Sequence, residues 1–276
     1  MPTKTLEREE RLAQGLEQLT EAIRSIETSE DWRAYLGFSA TMHNYSARNR
    51  LWLFCQAEER NYAAMGQVAG YRKWQSLNRQ VIKGEKSLKV LAPMTVKVID
   101  DKTHEPKTII RGFKIESVFA LCQTEGEAIP EDPRRMSLLL GQAPYMAFSK
   151  IEKLLFEKGF TVGRAVLGAG INGETRPDSK TVKLSGRLDD AHALKTLIHE
   201  YAHVLLHLDV DYKENRPRCE VEAESVAFVV CKELGLPTEA YSFGYVAHWA
   251  DSKPTIVIQV AETILKTANA ILESMQ

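Results

Sequence analysis

Apolar residues recur near every third or fourth position at the start of the chain, where Leu6, Leu12, Leu16, Leu19 and Ile23 predict a helix over residues 4–26. A second helix is expected over 31–38, and a third over 46–59 (SARNRLWLFCQAEE). After Gly70 the pattern changes to short β-type runs at 88–91, 94–99 and 108–119. Residues 96–99 and 109–115 flank the polar turn DDKTHEPKT and read as a hairpin. Helices followed by strands predict a small α+β domain.

The second half repeats this mixture in another order. A helix is expected over 148–158 and strands over 161–167 and 181–184, the strands separated by a turn-rich stretch that includes NGETRPDSK. Three helices follow, over 190–208, 220–234 and 255–274. Gly, two Pro and acidic residues cluster in TEGEAIPEDP (124–133), as they do in linkers. A chain of 276 residues exceeds the usual single core, so the expected organisation is two α+β domains, 1–125 and 126–276.

Composition narrows the class. With 44% hydrophobic and 26% charged residues the chain is an ordinary globular protein rather than a disordered one. No apolar run approaches the 18 or so residues that cross a bilayer, and the charged N-terminus lacks a secretory h-region. The cysteines (Cys55, Cys122, Cys219, Cys231) form no CxxC pair, which points to reduced thiols, a cytoplasmic location and no membrane partner. The net charge of −1 hides an asymmetry, since residues 1–125 hold 19 basic against 16 acidic side chains. Between Tyr71 and Val90 six cations face Glu85 alone. A DNA mimic needs strong negative charge, which this chain lacks.

Residues 199–203 read His-Glu-Tyr-Ala-His. Helical spacing puts His199 and His203 one turn apart on one face, where both imidazoles can reach one zinc ion. Glu200 stands beside them as a general base. The flanks Leu197, Ile198, Val204, Leu205 and Leu206 suit a buried helix, and Asp189 or Asp190 can cap its start. The third ligand is sought on the following helix, which offers Glu220, Glu222 and Glu224. Ala223, Ala227, Val230, Cys231 and Leu234 define its apolar face, with Glu220 on that face and Glu224 at its edge. Glu222 falls opposite, among Ser225, Lys232 and Glu233. A carboxylate on a buried face is costly unless it is paired or binds metal, so Glu220 is the expected ligand and one zinc ion per chain the expected cofactor. Glu224 would accept the other ring N–H of a ligating histidine. Glu222 remains the ligand if the helix is rotated. His207 reads as a polar residue near the cleft rim, and Tyr241, Tyr245 and His248 as candidates to stabilise an oxyanion, with core or rim packing as the alternative. Residues 181–184 are expected to be an edge strand that aligns an extended peptide.

In the first half cations and aromatics interleave: Tyr45, Arg48, Arg50 and Trp52, then Tyr71, Arg72, Lys73, Trp74, Arg79, Lys83 and Lys86. Single-stranded DNA binding uses that combination, because cations follow phosphates and aromatic faces stack on bases. Core tryptophans beneath a solvated basic face would give the same pattern.

Two pairs of segments resemble a known family. YSARNRLWLFCQ and GYRKWQSLNRQVIKGEKSLKVLAP are similar to the N-terminal single-stranded-DNA-binding domain of ArdC-type antirestriction proteins. TLIHEYAHVLLH and CEVEAESVAFVVCKELGLPTEAYSFGYVAHWA resemble their C-terminal zincin-like, gluzincin-type metallopeptidase domain, and also the ImmA/IrrE-type peptidases. The resemblance implies a mobile-element protein that protects entering DNA from restriction, with single-stranded DNA and restriction-system components as partners. In the ImmA/IrrE type the third ligand is a Glu four residues before an Asn or Asp; Glu220 matches that Glu, and Glu224 replaces the Asn or Asp. Asn78 stands where such proteins often have Gly. Two alternatives stay open: a regulatory peptidase cleaving one repressor, and a pure DNA-binding protein with a non-catalytic zinc site.

Overall fold

The computed structural model describes residues 3–24, 26, 28–42, 44–62, 65–99, 105–129, 143–238 and 254–275. Contacts divide the chain into two compact units, Met1–Ser25 with Thr41–Ile129, and Ile26–Ala40 with Pro130–Gln276. The break after residue 129 lies within the linker-like stretch 124–133. A contiguous division at 125/126 nevertheless omits one feature: residues 26–40 belong to the second unit.

In the first unit α1 (Thr3–Arg24) and α3 (Ala47–Glu59) pack on a long antiparallel hairpin, β3 (Leu88–Ile99) and β4 (Pro106–Ala120). The two runs expected at 88–91 and 94–99 are one strand, interrupted only by a register shift at Met94/Thr95. Short β1 (Val68–Ala69) completes the sheet in the order β1-β4-β3, which leaves one edge of β3 unpaired by any strand among the described residues. Two amides on α3 occupy that edge. Asn49 accepts from Leu91 N (2.8 Å) and donates to Leu91 O (2.9 Å). Gln56 does the same for Lys89, accepting at 2.8 Å and donating at 3.0 Å. The side chains satisfy backbone groups as a neighbouring strand would. Helix α4 (Tyr71–Ser76), absent from the sequence expectation, leads into the two-stranded pair β2 (Arg79–Val81) and β5 (Thr124–Gly126).

In the second unit α2 (Ser29–Ser39) starts with a capping box, Thr28 and Asp31 each bonding the other's backbone. Its Trp32 and Tyr35 are fully buried, and Trp32 Nε1 donates to Ser225 Oγ at 2.9 Å. Helix α5 (Ala143–Glu157) precedes the sheet β6 (Thr161–Ala165), β7 (Gly173–Arg176) and β8 (Thr181–Ser185). The order is β6-β8-β7, so β8 is central and not the edge strand expected at 181–184; β6 and β7 are the edges. Strand β7 lies inside the stretch that reads as turns. Helix α6 (Asp190–Leu206) is capped by Asp189, which accepts from His192 N. Helix α7 (Tyr212–Glu233) begins eight residues before its expected start at 220 and continues through Pro217. Helix α8 (Pro254–Ser274) packs on α7. Within α8, Thr255–Ser274 is long and apolar enough to cross a membrane by length and composition, contrary to the sequence expectation. Of that stretch 56% is buried within the unit, as in a core helix.

Candidate metal centre and basic surface

Helix α6 carries the central residues because its apolar positions Ala193, Leu194, Leu197, Ile198 and Ala202 are fully buried, which fixes its rotation in the unit. His199 and His203, one turn apart, bring their Nε2 atoms to 3.0 Å of each other. Glu220, from α7, places Oε2 at 3.5 Å from His199 Nε2 and 4.0 Å from His203 Nε2. One ligand atom from each of the three residues falls within 4.8 Å of the others. Two ligands held at about 2.0–2.1 Å in a tetrahedron are roughly 3.3 Å apart, so the group fits around one divalent cation. Two imidazoles and a carboxylate are also a donor set for zinc or manganese.

The surrounding groups hold these side chains in place. His199 Nδ1 lies 3.0 Å from Glu224 Oε2, and Glu224 Oε1 is 3.1 Å from Lys195 Nζ. Glu224 thus meets the ring nitrogen of His199 that does not face His203. Burial opposes charge on His199, yet hydrogen bonds to Glu220 and Glu224 outweigh it and hold its pKa up at about 10. Glu220 is pulled well below the usual carboxylate range, first by its hydrogen bond with His199 and then, against partial burial, by Tyr212. His203 is pushed down by burial and by the neighbouring His199 charge. The ionised Glu220, with Glu224 behind His199, supplies negative charge that suits a bound cation.

Glu200, next to His199 in the chain, lies against β7. It is 6% exposed, and Thr175 Oγ1 donates to its Oε2 at 2.6 Å. Burial pushes its pKa up against the opposing effects of His199 and Thr175. Thr175 has no sequence signal, because it falls in the turn-like stretch. Tyr212, from the first turn of α7, was also not anticipated; its hydroxyl donates to Glu220 Oε1, and its ring centroid lies 5.7 Å from that of His203.

Two expectations about α7 are corrected. Glu222 is not on a solvated face but 4% exposed, whereas the Glu220 side chain is 42% exposed. From Cys219 to Cys231 the helix is enclosed on nearly every side, so it has no single apolar face to sort the glutamates. His207 is likewise buried and not at a rim, bonded to both His203 and Glu222. Tyr241, Tyr245 and His248 lie outside the described residues.

The basic set of the first unit separates by burial. Arg50 is 3% exposed and donates from Nε to Tyr45 O; Trp74 is 1% exposed and donates to Phe119 O. Trp52 is also core. These side chains cannot meet DNA. Arg79 turns its guanidinium inward to Thr124, Gly126 and Glu127, pinning β5. Arg48 is half-buried. Tyr71, Arg72, Lys73, Lys83 and Lys86 remain exposed. The loop bearing Lys83 and Lys86 is held from below: Arg60 donates to Lys86 O, and Gln123 donates to Glu85 and to Lys86 O.

Fold and site together define a two-unit α+β protein with a histidine–glutamate cluster in its second unit. Residues 7–119 match the family model for the N-terminal domain of anti-restriction factor ArdC. The fold is that of the antirestriction ArdC protein of plasmid R388. Its metal-free crystal structure superposes with a TM-score of 0.61 at 19% identity, covering 93% of this chain and 97% of that one. Its Mn(II)-bound structure gives 0.56 at 20% identity, covering 84% and 85%. An uncharacterized protein of Bacillus anthracis is 26% identical over 92% of this chain and 50% of its own length, so the chain spans about half of that relative. The family model covers the first unit, and the shared fold extends over most of the chain.

Proposed function

We propose that this chain is an ArdC-type antirestriction protein whose first unit binds single-stranded DNA and whose second unit is a zinc metallopeptidase module with one cation per chain. The observation that carries the reading is the convergence of His199, His203 and Glu220, with Glu200 buried beside them. A cation held by those three residues would supply Lewis acidity, polarising a peptide carbonyl and making water a stronger acid. Glu200 is the proton acceptor. Its raised pKa brings it nearer neutrality, where a general base works best, and Thr175 fixes the direction of its carboxylate. Strand β7 rather than β8 would align an extended substrate, since β7 passes Glu200 and has an edge free of any strand among the described residues. On the first unit Tyr71 offers a stacking face, and Arg72, Lys73, Lys83 and Lys86 offer phosphate contacts. The protein substrate belongs to the restriction system of a recipient cell, and the four free thiols agree with a cytoplasmic setting.

Metal analysis after purification in zinc tests the centre: one equivalent is expected, falling below a tenth in His199→Ala and Glu220→Ala. Less than half an equivalent in the unaltered chain refutes it. Glu200→Gln should keep the cation and lose peptide hydrolysis by roughly 10²–10⁴-fold.

A further inference from the structure

Beyond the cation ligands and Glu200, one buried polar group has no part in the reading above. His203 Nδ1 lies 2.9 Å from His207 Nδ1. The other nitrogen of His207, Nε2, lies 3.0 Å from Glu222 Oε2, and Arg218 Nε donates to Glu222 Oε1 at 2.8 Å. His203, His207 and Glu222 are all more than nine-tenths buried, whereas the Arg218 side chain is half exposed. Four side chains, from α6 and its C-terminal cap and from α7, therefore form one line of contacts from the cation cluster to the surface.

The line can carry only one arrangement of protons if His203 is to serve the cluster. Nε2 of His203 faces His199 and must keep its lone pair, so the ring proton sits on Nδ1. That proton is donated to His207, whose Nδ1 must accept. His207 then carries its own proton on Nε2 and donates it to Glu222. Both carboxylate oxygens of Glu222 accept, one from His207 and one from Arg218. Nothing else among the described residues explains why a glutamate is buried at position 222, at a cost that only such partners offset.

We propose that Glu222 and His207, anchored by Arg218, are positioning residues that fix the tautomer and ring orientation of His203 so that its Nε2 is presented to a divalent cation. The inference rests on the metal-site reading for its purpose; the tautomers follow equally from Glu222, whose carboxylate only accepts, read back through His207 to His203. Outer partners of ligating histidines commonly contribute 10–100-fold to metal affinity.

The test uses the full chain. In the metal-free protein labelled with ¹⁵N-histidine, long-range proton–nitrogen spectra should find His203 protonated at Nδ1 and His207 at Nε2. Glu222→Gln changes no volume, but its amide can accept from only one of the two donors. Where its NH2 faces His207, both ring tautomers must invert and His203 Nε2 carries a proton. Titration with Mn(II) or Zn(II) alone should then be 10–100-fold weaker than for the unaltered chain. His207→Phe should weaken binding similarly, whereas His207→Asn, which retains an acceptor near the Nδ1 position, should recover most of the affinity. A metal-free His203 protonated at Nε2 would overturn the proposal. So would a His207→Phe chain that folds and keeps both the Nδ1 proton of His203 and the affinity. If the unaltered chain binds neither ion, the metal reading fails and the spectra still decide the relay.

Discussion

A Cβ built on Gly173 would stand 2.5 Å from Glu200 Oε1 and 2.6 Å from Thr196 Cγ2, so β7 can pass the carboxylate this closely only without a side chain there. Gly173→Ala must push Glu200 or the strand aside. Overpacking of this kind costs about 1–3 kcal/mol, and urea unfolding of the variant should reveal it. A variant as stable as the parent would mean that β7 yields easily. In the sequence Gly173 reads as one more turn residue, because its reason for being glycine lies 27 positions away at Glu200. The glutamates of α7 are opaque for a related cause. Helical periodicity sorts faces only when one face meets solvent, and α7 is packed by α2, α6 and α8. Glu222 is tolerated inside because His207 and Arg218 satisfy it, and no local pattern contains a partner 15 residues distant. The HExxH pair, by contrast, is legible from spacing alone, since one helical turn suffices to align it.

At the scale of elements, the long periodic helices were readable and the short pieces were not. Strands of two to four residues (β1, β2, β5, β7) offer too few alternations to register against their turns, and α4 is only six residues long. The central place of β8 follows from pairing with β6 and β7, which sequence order does not reveal. Asn78 is a case where sequence and structure meet. The resemblance implies glycine at this position, and the φ of 54° at Asn78 is the left-handed conformation that glycine or asparagine tolerates best. Asn78→Gly should leave the melting temperature unchanged or higher, and Asn78→Ala should lower stability by about 1 kcal/mol. Equal stabilities of the two variants would show that the turn is not constrained. The amides sealing β3 give a second prediction. Asn49→Leu leaves the Leu91 N–H and C=O without partners in a buried position, at about 1–3 kcal/mol. Chemical denaturation would measure it, and a smaller loss would mean that water replaces the amide.

One segment crosses the division of the chain into units, and composition does not single it out. Helix α2, with Trp32, Tyr35 and Leu36 fully buried, belongs to the second unit although it lies within the first 125 residues. Its apolar residues mark it as a helix, but which core it joins depends on Ser225 and its neighbours, nearly 200 residues away. The two activities proposed for the units make separable predictions. With Arg79 engaged in β5, the exposed cations Arg72, Lys73, Lys83 and Lys86 correspond to about four phosphates, a salt slope near −2.8 at about 0.7 per phosphate. Neutralising Lys83 and Lys86 together should bring it to about −1.4. Glu200→Gln should leave it unaltered, because sites that share no contacts act independently. Protection of incoming DNA from restriction then discriminates between mechanisms when the parent, Glu200→Gln and the double neutralisation are compared. If coating of single strands protects, Glu200→Gln protects fully and the double neutralisation fails. If cleavage of a restriction component protects, Glu200→Gln fails while its DNA binding persists. We expect the first outcome, since broad protection by cleavage would require one peptidase to recognise many unrelated restriction enzymes. Loss of protection in a folded, cation-loaded Glu200→Gln chain would reverse that expectation and make the second unit the effector.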